Sequence, residues 1–395
     1  MKIRATTDED RDAFLATMFA IFAEFPENWG KIWSALELDR GILAETEDGR
    51  PVGTAAAYSF ELTLPGQVVV PAAGVTAVGV LPTHRRRGVL TAMMRHQLAD
   101  FRARGEILSV LLASEALIYR RFGYGPATYT HRLTVPRRQA AFAAGGTAPG
   151  AIEVLRRADC GEILEEVYDR YRRTRPGALS RPHRLWAAGA GQPPISATPR
   201  YVAVHRDAEG VPDGYASYWR SERGTFTVDE TIAADDEVST ALARFLLEHD
   251  LVTQVVFKHC PPDHPLRWQL EDFRAGEVGD DTDWLWVRLL DIPRALTARG
   301  WFADGELVLD VDDPALGEHG RYLLTVRDGE ATCVPTDREP DLSLDASDLG
   351  SLYLGGTAPS KLIRAGRVRA RHAEVGALAD ALFRAERSPH CLHWF

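Results

Sequence analysis

Cysteine is scarce and dispersed: Cys160, Cys260, Cys333 and Cys391 lie far apart in 395 residues, without a Cys-x-x-Cys pair. Neither a disulfide framework nor a zinc ribbon organises such a chain. It has no run of about 20 apolar residues to cross a bilayer. The opening MKIRATTDEDRD holds no apolar signal segment. A cytoplasmic protein without a membrane partner is expected. Net positive charge is missing too. The formal charge of −10 argues against nucleic acid as a partner and suits a cationic small molecule or amine. What is present, 45% apolar and 26% charged residues, is the composition of folded soluble domains. The length predicts two or three of them, because single cores seldom grow past about 250–300 residues.

The stretch from Gly74 to Asp100 changes period twice. Val75, Ala77 and Gly79 alternate with Thr76, Val78 and Val80, giving a largely buried strand that Pro82 stops. Arg85, Arg86, Arg87 and Gly88 follow. Leu90, Met93, Met94, Gln97, Leu98 and Phe101 then recur at helical spacing, so an amphipathic helix begins at the glycine. Its first N–H groups lack intrahelical partners and carry partial positive charge beside three arginines, which makes an anion site. A glycine at position 88 lets backbone approach a bulky pyrophosphate. The bland reading is an Arg-rich helix start lying in solvent; the strand before it and the helix after it favour the anion site. There is no Lys-Ser/Thr pair, so this is not a P-loop, and dinucleotide glycine spacing is absent.

Strand, Arg-x-x-Gly-x and helix in this order resemble the coenzyme A pyrophosphate loop of the GNAT acetyltransferases, with Arg85 and Gly88 on the pattern and Leu90 where a small residue is usual. A continuous apolar run, Glu106–Leu112, then reads as a buried strand. Ser114 offers an N-cap to a short helix from Glu115 to Phe122, which Gly123 can end. In ASEALIYRRFGYGPATY the resemblance places Tyr119 near the departing thiolate of coenzyme A. A phenol of pKa near 10 can protonate a thiolate, so Tyr119 is the expected general acid; alone it would read as a core tyrosine.

Upstream, Asp8–Phe25 reads as a helix with Phe14, Leu15, Met18, Phe19 and Phe22 on one side. Trp29 and Trp33 are either packing rings or the wall of a substrate pocket, with Glu37 beside them. Strands at 41–45 and 52–64 are joined by an Asp48-Gly49 hairpin turn. Past the Ala/Gly-rich AAFAAGGTAPGA, the segment 201–219 repeats 42–60: Gly49 matches Gly210, Gly53 matches Gly214 and Ala55 matches Ala216 at one fixed offset. A helix over 241–250 would match 91–100. Where the first copy has arginines, the second has Asp235, Asp236 and Glu237, which repel a pyrophosphate. In HCPPDH, His259, Cys260, Asp263 and His264 invite a metal, but the two prolines and the lack of a second ligand pair indicate a loop after a strand. Leu285–Leu290 leads into a small α+β region that ends SPHCLHWF.

THRRRG and ASE-x-x-IY-x-RFGYGPAT, a degenerate second copy, a small third region and an aromatic ending together resemble the Eis (enhanced intracellular survival) family of N-acetyltransferases. The resemblance implies a mixed α/β chain with a catalytic GNAT domain at 1–145, a degenerate GNAT-like domain at 146–287 and a sterol-carrier-protein-like domain at 288–395. It implies acetyl-CoA as co-substrate, no metal, and direct transfer to primary amines, whether aminoglycosides, lysine side chains or similar cationic acceptors, in a homohexamer. By the same resemblance the backbone of Val78 and Val80 binds the pantetheine arm. Arg85, Arg86, Gly88 and Val89 meet the pyrophosphate, Ser114 touches the cofactor, and the carboxylate of Phe395 enters the active site as a second catalytic group. The rival reading is a non-catalytic carrier or regulatory protein whose third domain holds a lipid.

Overall fold

The computed structural model describes residues 1–23, 32–143, 148–189 and 199–395. The chain opens with β1 (Lys2–Ala5), α1 (Arg11–Phe22), β2 (Ile42–Glu45), β3 (Pro51–Thr63), β4 (Val69–Val80), α2 (Val89–Ala103), β5 (Leu108–Leu112), α3 (Ala116–Arg120) and β6 (Gly125–Pro126). β3 is buried almost throughout because both its faces are covered. Ala56, Tyr58 and Phe60 pack with Phe14 and Met18 of α1. The alternate residues Ala55 and Ala57 pack under Met93, Met94 and Leu98 of α2. Period-two alternation of small and large side chains thus lets one strand serve two helices.

The chain continues with β7 (Tyr129–Pro136), β8 (Ala151–Arg156), α4 (Ile163–Arg172), β9 (Tyr201–Arg206), β10 (Pro212–Arg220), β11 (Thr225–Ala233), α5 (Asp236–Leu247), β12 (Gln254–Cys260), β13 (Glu277–Asp283) and β14 (Leu285–Leu289). The expected repeat holds residue by residue. Ile42 faces Ala55 and Ala44 faces Gly53 in the first sheet; Ala203 faces Ala216 and His205 faces Gly214 in the second. Gly49 and Gly210 both turn with φ above 80°.

The two sheets exchange strands. β7 leaves the first unit to lie between β12 and β13 of the second, and β14 returns to lie between β5 and β6 of the first. The apolar run at 285–290, read as a passage to the third region, is therefore an inner strand of the first sheet, paired from Leu285 to Leu289 with β5. The helix expected over 241–250 starts at Asp236, because Asp235 caps it by accepting from the Val238 N–H at 2.8 Å.

The third unit comprises α6 (Ile292–Ala298), β15 (Gly305–Asp313), β16 (Glu318–Arg327), β17 (Glu330–Pro335), β18 (Leu342–Asp345), α7 (Ala346–Tyr353), α8 (Pro359–Arg364), β19 (Arg369–Ala370) and α9 (Ala373–Phe383). Its core is not separate. Leu307, Leu309 and Leu349 share one apolar cluster with Val287 of β14 and with Tyr58, Phe60 and Phe395. α7 lies so close to β14 that a Cβ at Gly350 would sit 2.1 Å from the Val287 carbonyl oxygen. The second unit keeps its own cores.

Candidate active site

β4 and β5 run parallel but pair only from Ala73–Ser109 to Val75–Leu111. Beyond that point the strands part and leave backbone of β4 without a neighbour on that side. A bulge follows at once, with Ala77 at φ 53° and its carbonyl held by Thr54 Oγ1 at 2.8 Å. Bulges beside functional clefts re-aim the backbone.

One cleft, of ≈ 780 Å³, opens between the parted strands and the start of α2. Val78, Val80, Arg85, Arg86, Gly88, Val89 and Ser114, all expected around a cofactor, line it. Gly88 is the N-cap of α2 at φ 81°, and among the described residues beyond its chain neighbours no atom lies within 4 Å of where its Cβ would be. A glycine in the left-handed region facing open space beside free helix N–H groups fits a pyrophosphate. Arg85 also donates from Nε to the Val80 carbonyl at 3.1 Å, taking that acceptor at the end of β4. Arg87 is not among the lining residues; Arg121 is. The signal for Arg121 is the Arg120-Arg121 pair at the end of α3, of which Arg120 is spent on Asp348 at 2.6 Å.

A second cavity, of ≈ 440 Å³, lies on the other side of the same fork. Its rings come from Phe19, Phe22, Trp33, Trp284, Trp394 and Phe395. Trp33 therefore walls a pocket rather than only packing; Trp29 lies outside the described residues. Glu37 is elsewhere, accepting from Ser59 N–H and Oγ and paired with Arg184. Asp283 supplies a carboxylate to the cavity, steadied by Trp286 Nε1 at 2.5 Å. The two cavities share Phe22, Val78, Ser114 and Tyr119, so they meet at the tyrosine.

Tyr119 is buried at 8% exposure. Burial pushes its phenol above the ordinary range, while a hydrogen bond with Ser114 pulls it partly back. That bond corrects the expected role of Ser114. The N-cap of α3 is Glu115, without a side-chain cap bond, and Ser114 interacts with Tyr119 instead. Phe395 is also buried, T-shaped against Phe60 with centroids 4.9 Å apart. His259, Cys260, Asp263 and His264 are in the second unit. His259 packs against Trp284 with ring planes tilted by 54°, His264 Nδ1 accepts from the Leu266 N–H at 3.2 Å, and Asp263 holds Arg175 at 2.8 Å.

Comparison with known proteins follows this geometry. Residues 2–127 match an acetyltransferase (GNAT) domain, 177–289 a second acetyltransferase (GNAT) domain and 292–392 a sterol carrier protein domain. An uncharacterized N-acetyltransferase of Streptomyces griseus is 37% identical over 87% of both chains. The crystal structure of Eis1 from Mycobacterium abscessus superposes with a TM-score of 0.86 at 34% identity, covering 100% of each chain. N-acetyltransferase Eis of Mycobacterium tuberculosis is 35% identical over 96% of both chains. With likeness of that extent across all three units, the chain belongs to the Eis family of GNAT N-acetyltransferases.

Proposed function

We propose that this N-acetyltransferase uses acetyl-CoA to acetylate primary amines, aminoglycosides, lysine side chains or similar cationic acceptors, by direct transfer at Tyr119. The observation that carries the reading is the meeting of two cavities at that residue. One is basic and glycine-turned, the other aromatic with a carboxylate. Acetyl-CoA in the first supplies a thioester carbonyl for the amine to attack. Arg85, Arg86 and the N–H groups at the start of α2 hold its phosphates. Asp283 and the surrounding rings draw the ammonium into the second cavity, the rings through cation–π attraction. The carboxylate of Phe395 orients the amine and accepts its proton through a water. A carboxylate is too weak a base to take that proton from an ammonium of pKa near 10 unaided, so placement matters more than basicity. Tyr119, kept protonated by burial, gives its proton to the leaving thiolate.

Incubating the full chain with acetyl-CoA and an aminoglycoside, or a lysine peptide, is expected to release free thiol in step with acetylated amine. No thiol release with any primary amine would overturn the reading. A few residues added after Phe395 are expected to lower kcat sharply at unchanged acetyl-CoA affinity; a native rate would make that segment structural only.

A further inference from the structure

In the second unit β11 and β12 part after the Val228–Phe257 pair, as β4 and β5 part after Val75–Leu111. Just past this second fork sits Glu230, with its side chain 3% exposed. Its carboxylate accepts from Tyr215 Oη at 2.5 Å and from Arg181 Nη2 at 2.6 Å. Arg181 has a fully buried side chain and stands over the Tyr168 ring, 3.9 Å from its centroid. Its Nε donates to His393 Nδ1 at 2.9 Å. A guanidinium only donates, so this ring nitrogen is unprotonated and the neutral imidazole carries its proton on Nε2. Burial and the adjacent guanidinium keep His393 neutral.

His393 faces the reacting cavity through two further contacts. Its ring stacks on Phe395 with planes 16° apart and centroids separated by 5.8 Å. Its carbonyl accepts from Trp284 Nε1 at 3.3 Å, and Trp284 lines the aromatic cavity. One buried series of bonds, Tyr215 to Glu230 to Arg181 to His393, therefore runs from the core of the second unit to the wall of the cavity at the first. Apolar packing of Cys391 and Leu392 already anchors this segment. A desolvated ion pair is a poor device for added stability but a good one for fixing geometry, since the planar guanidinium must satisfy two partners at set angles.

We propose that Arg181, clamped by Glu230, is a positioning residue for amine acetylation. By holding His393 in one tautomer and one place, it sets Phe395 in the acceptor cavity and gives the second unit a part in the first unit's chemistry. The proposal rests on the reading of Phe395 as a group at the reacting amine.

The test uses the full chain and four changes: Arg181→Met with Glu230→Gln, which removes both charges together; Arg181→Lys; deletion of 393–395; and the deletion combined with the paired change. The paired change is expected to lower kcat roughly ten- to a hundredfold through misplacement alone. Acetyl-CoA Kd by calorimetry should stay put, and the ¹⁵N signals of His393 should move from the Nε2–H form toward a tautomer mixture. Arg181→Lys should recover part of the rate. In the deletion background the paired change should cost nothing further. Losses that multiply there, or a native kcat in the paired variant, overturn the proposal. If the paired variant does not fold, judged by lost acetyl-CoA binding, Arg181→Lys decides: a native kcat overturns the proposal, a lowered kcat at unchanged Kd supports it. A native kcat in the deletion variant defeats the reading of Phe395 itself, whereas a costly deletion beside a neutral paired change defeats only the role of Arg181.

Discussion

The two GNAT units carry the same fork between parallel strands and fill it in opposite ways. In the first, the strand past the fork offers Thr76, Ala77 and Val78, and the helix beyond it starts at Gly88 with its N–H groups facing open space. In the second, the equivalent stretch offers Asp229 and Glu230, and the helix starts at Asp235, whose own carboxylate caps it. The charges there are used up internally. Asp229 pairs with Arg200 at 2.9 Å and Lys258 at 3.1 Å, Glu230 with Arg181, and Asp236 with Arg387 at 2.6 Å. The segment after β12 has no tyrosine; Asp263 stands there, holding Arg175 at 2.8 Å and accepting from the Ser388 N–H at 2.9 Å. The second fork is thus filled by carboxylates, their cationic partners and the end of the chain, where the first stays open.

The comparison breaks first if Tyr119 is dispensable. Tyr119→Phe removes one hydroxyl with little change in volume, so the fold and the acetyl-CoA Kd should survive. Loss of a general acid is expected to lower kcat by about 10²–10⁴-fold. Steady-state thiol release beside a melting curve checks both halves. A native kcat would leave the first fork with no chemical advantage over the second.

Acidification should separate the units. Burial lowers His259 and His264 from 6.5 to about 4, and His390 and His393 well below their ordinary value. All four lie in the second unit or in the end segment it holds. Below pH 6.5 the unfolded chain takes up protons that folded His259 and His264 refuse until about pH 4, so their contribution to stability is lost as pH falls through that window, and His390 and His393 act in the same sense. For His259 and His264 the loss is roughly 2 kcal/mol each at pH 5. In the third unit Asp348, pushed up to about 6 by burial, acts in the opposite sense. Hydrogen exchange at pH 5 against pH 7 should therefore show β12 and 387–395 losing protection before β3 does. Uniform loss across both sheets would contradict the assignment.

Much of this was legible in the sequence where backbone conformation restricts residue choice. Gly49 and Gly210 must turn at positive φ, and Gly88 must cap a helix from the left-handed region, so each leaves a fixed mark in the text. The strand exchange left none. The patterns of 129–136 and 285–289 predict strands but not partners, which long-range packing decides. The aromatic cavity is built from separated segments, 18–22, Trp33, 75–78, 112–119, 282–284 and 394–395, so no local spacing announces it. Ser114 has a hydroxyl suited to capping, yet Glu115 takes the N-cap and the serine lies by Tyr119, which only the folded chain reveals. The early start of α5 does leave a signal, since Asp-Asp-Glu before an apolar period is a helix N-terminus.

Gly88→Val sharpens the comparison at the loop itself. A β-branched residue at φ 81° costs about 1–2 kcal/mol in backbone strain, and its side chain enters the open space where the phosphates would lie. Acetyl-CoA affinity by calorimetry should fall about tenfold or more. Arg85→Ala and Arg86→Ala should each cost less, because both side chains are exposed and their attraction is screened. If Gly88→Val binds acetyl-CoA as the parent does, the loop is not the phosphate site.

The smallest effect belongs to the other copy. Asp235→Ala removes the cap bond to the Val238 N–H, which should lower stability by about 1 kcal/mol. Asp236→Ala loses only a half-exposed pair with Arg387 and should change stability by less than about 0.5 kcal/mol. Neither should alter acetyl-CoA Kd or kcat by much. The informative measurement is stoichiometry. Removing both acids takes away most of the repulsion at this helix start and leaves Glu237, while Lys258, Arg387 and His390 still fill the fork. If the second cleft is closed by this internal filling rather than by charge alone, the Asp235→Ala, Asp236→Ala chain should bind a single acetyl-CoA, the number expected of the parent. A second equivalent in calorimetry would mean that charge was the whole difference between the two forks.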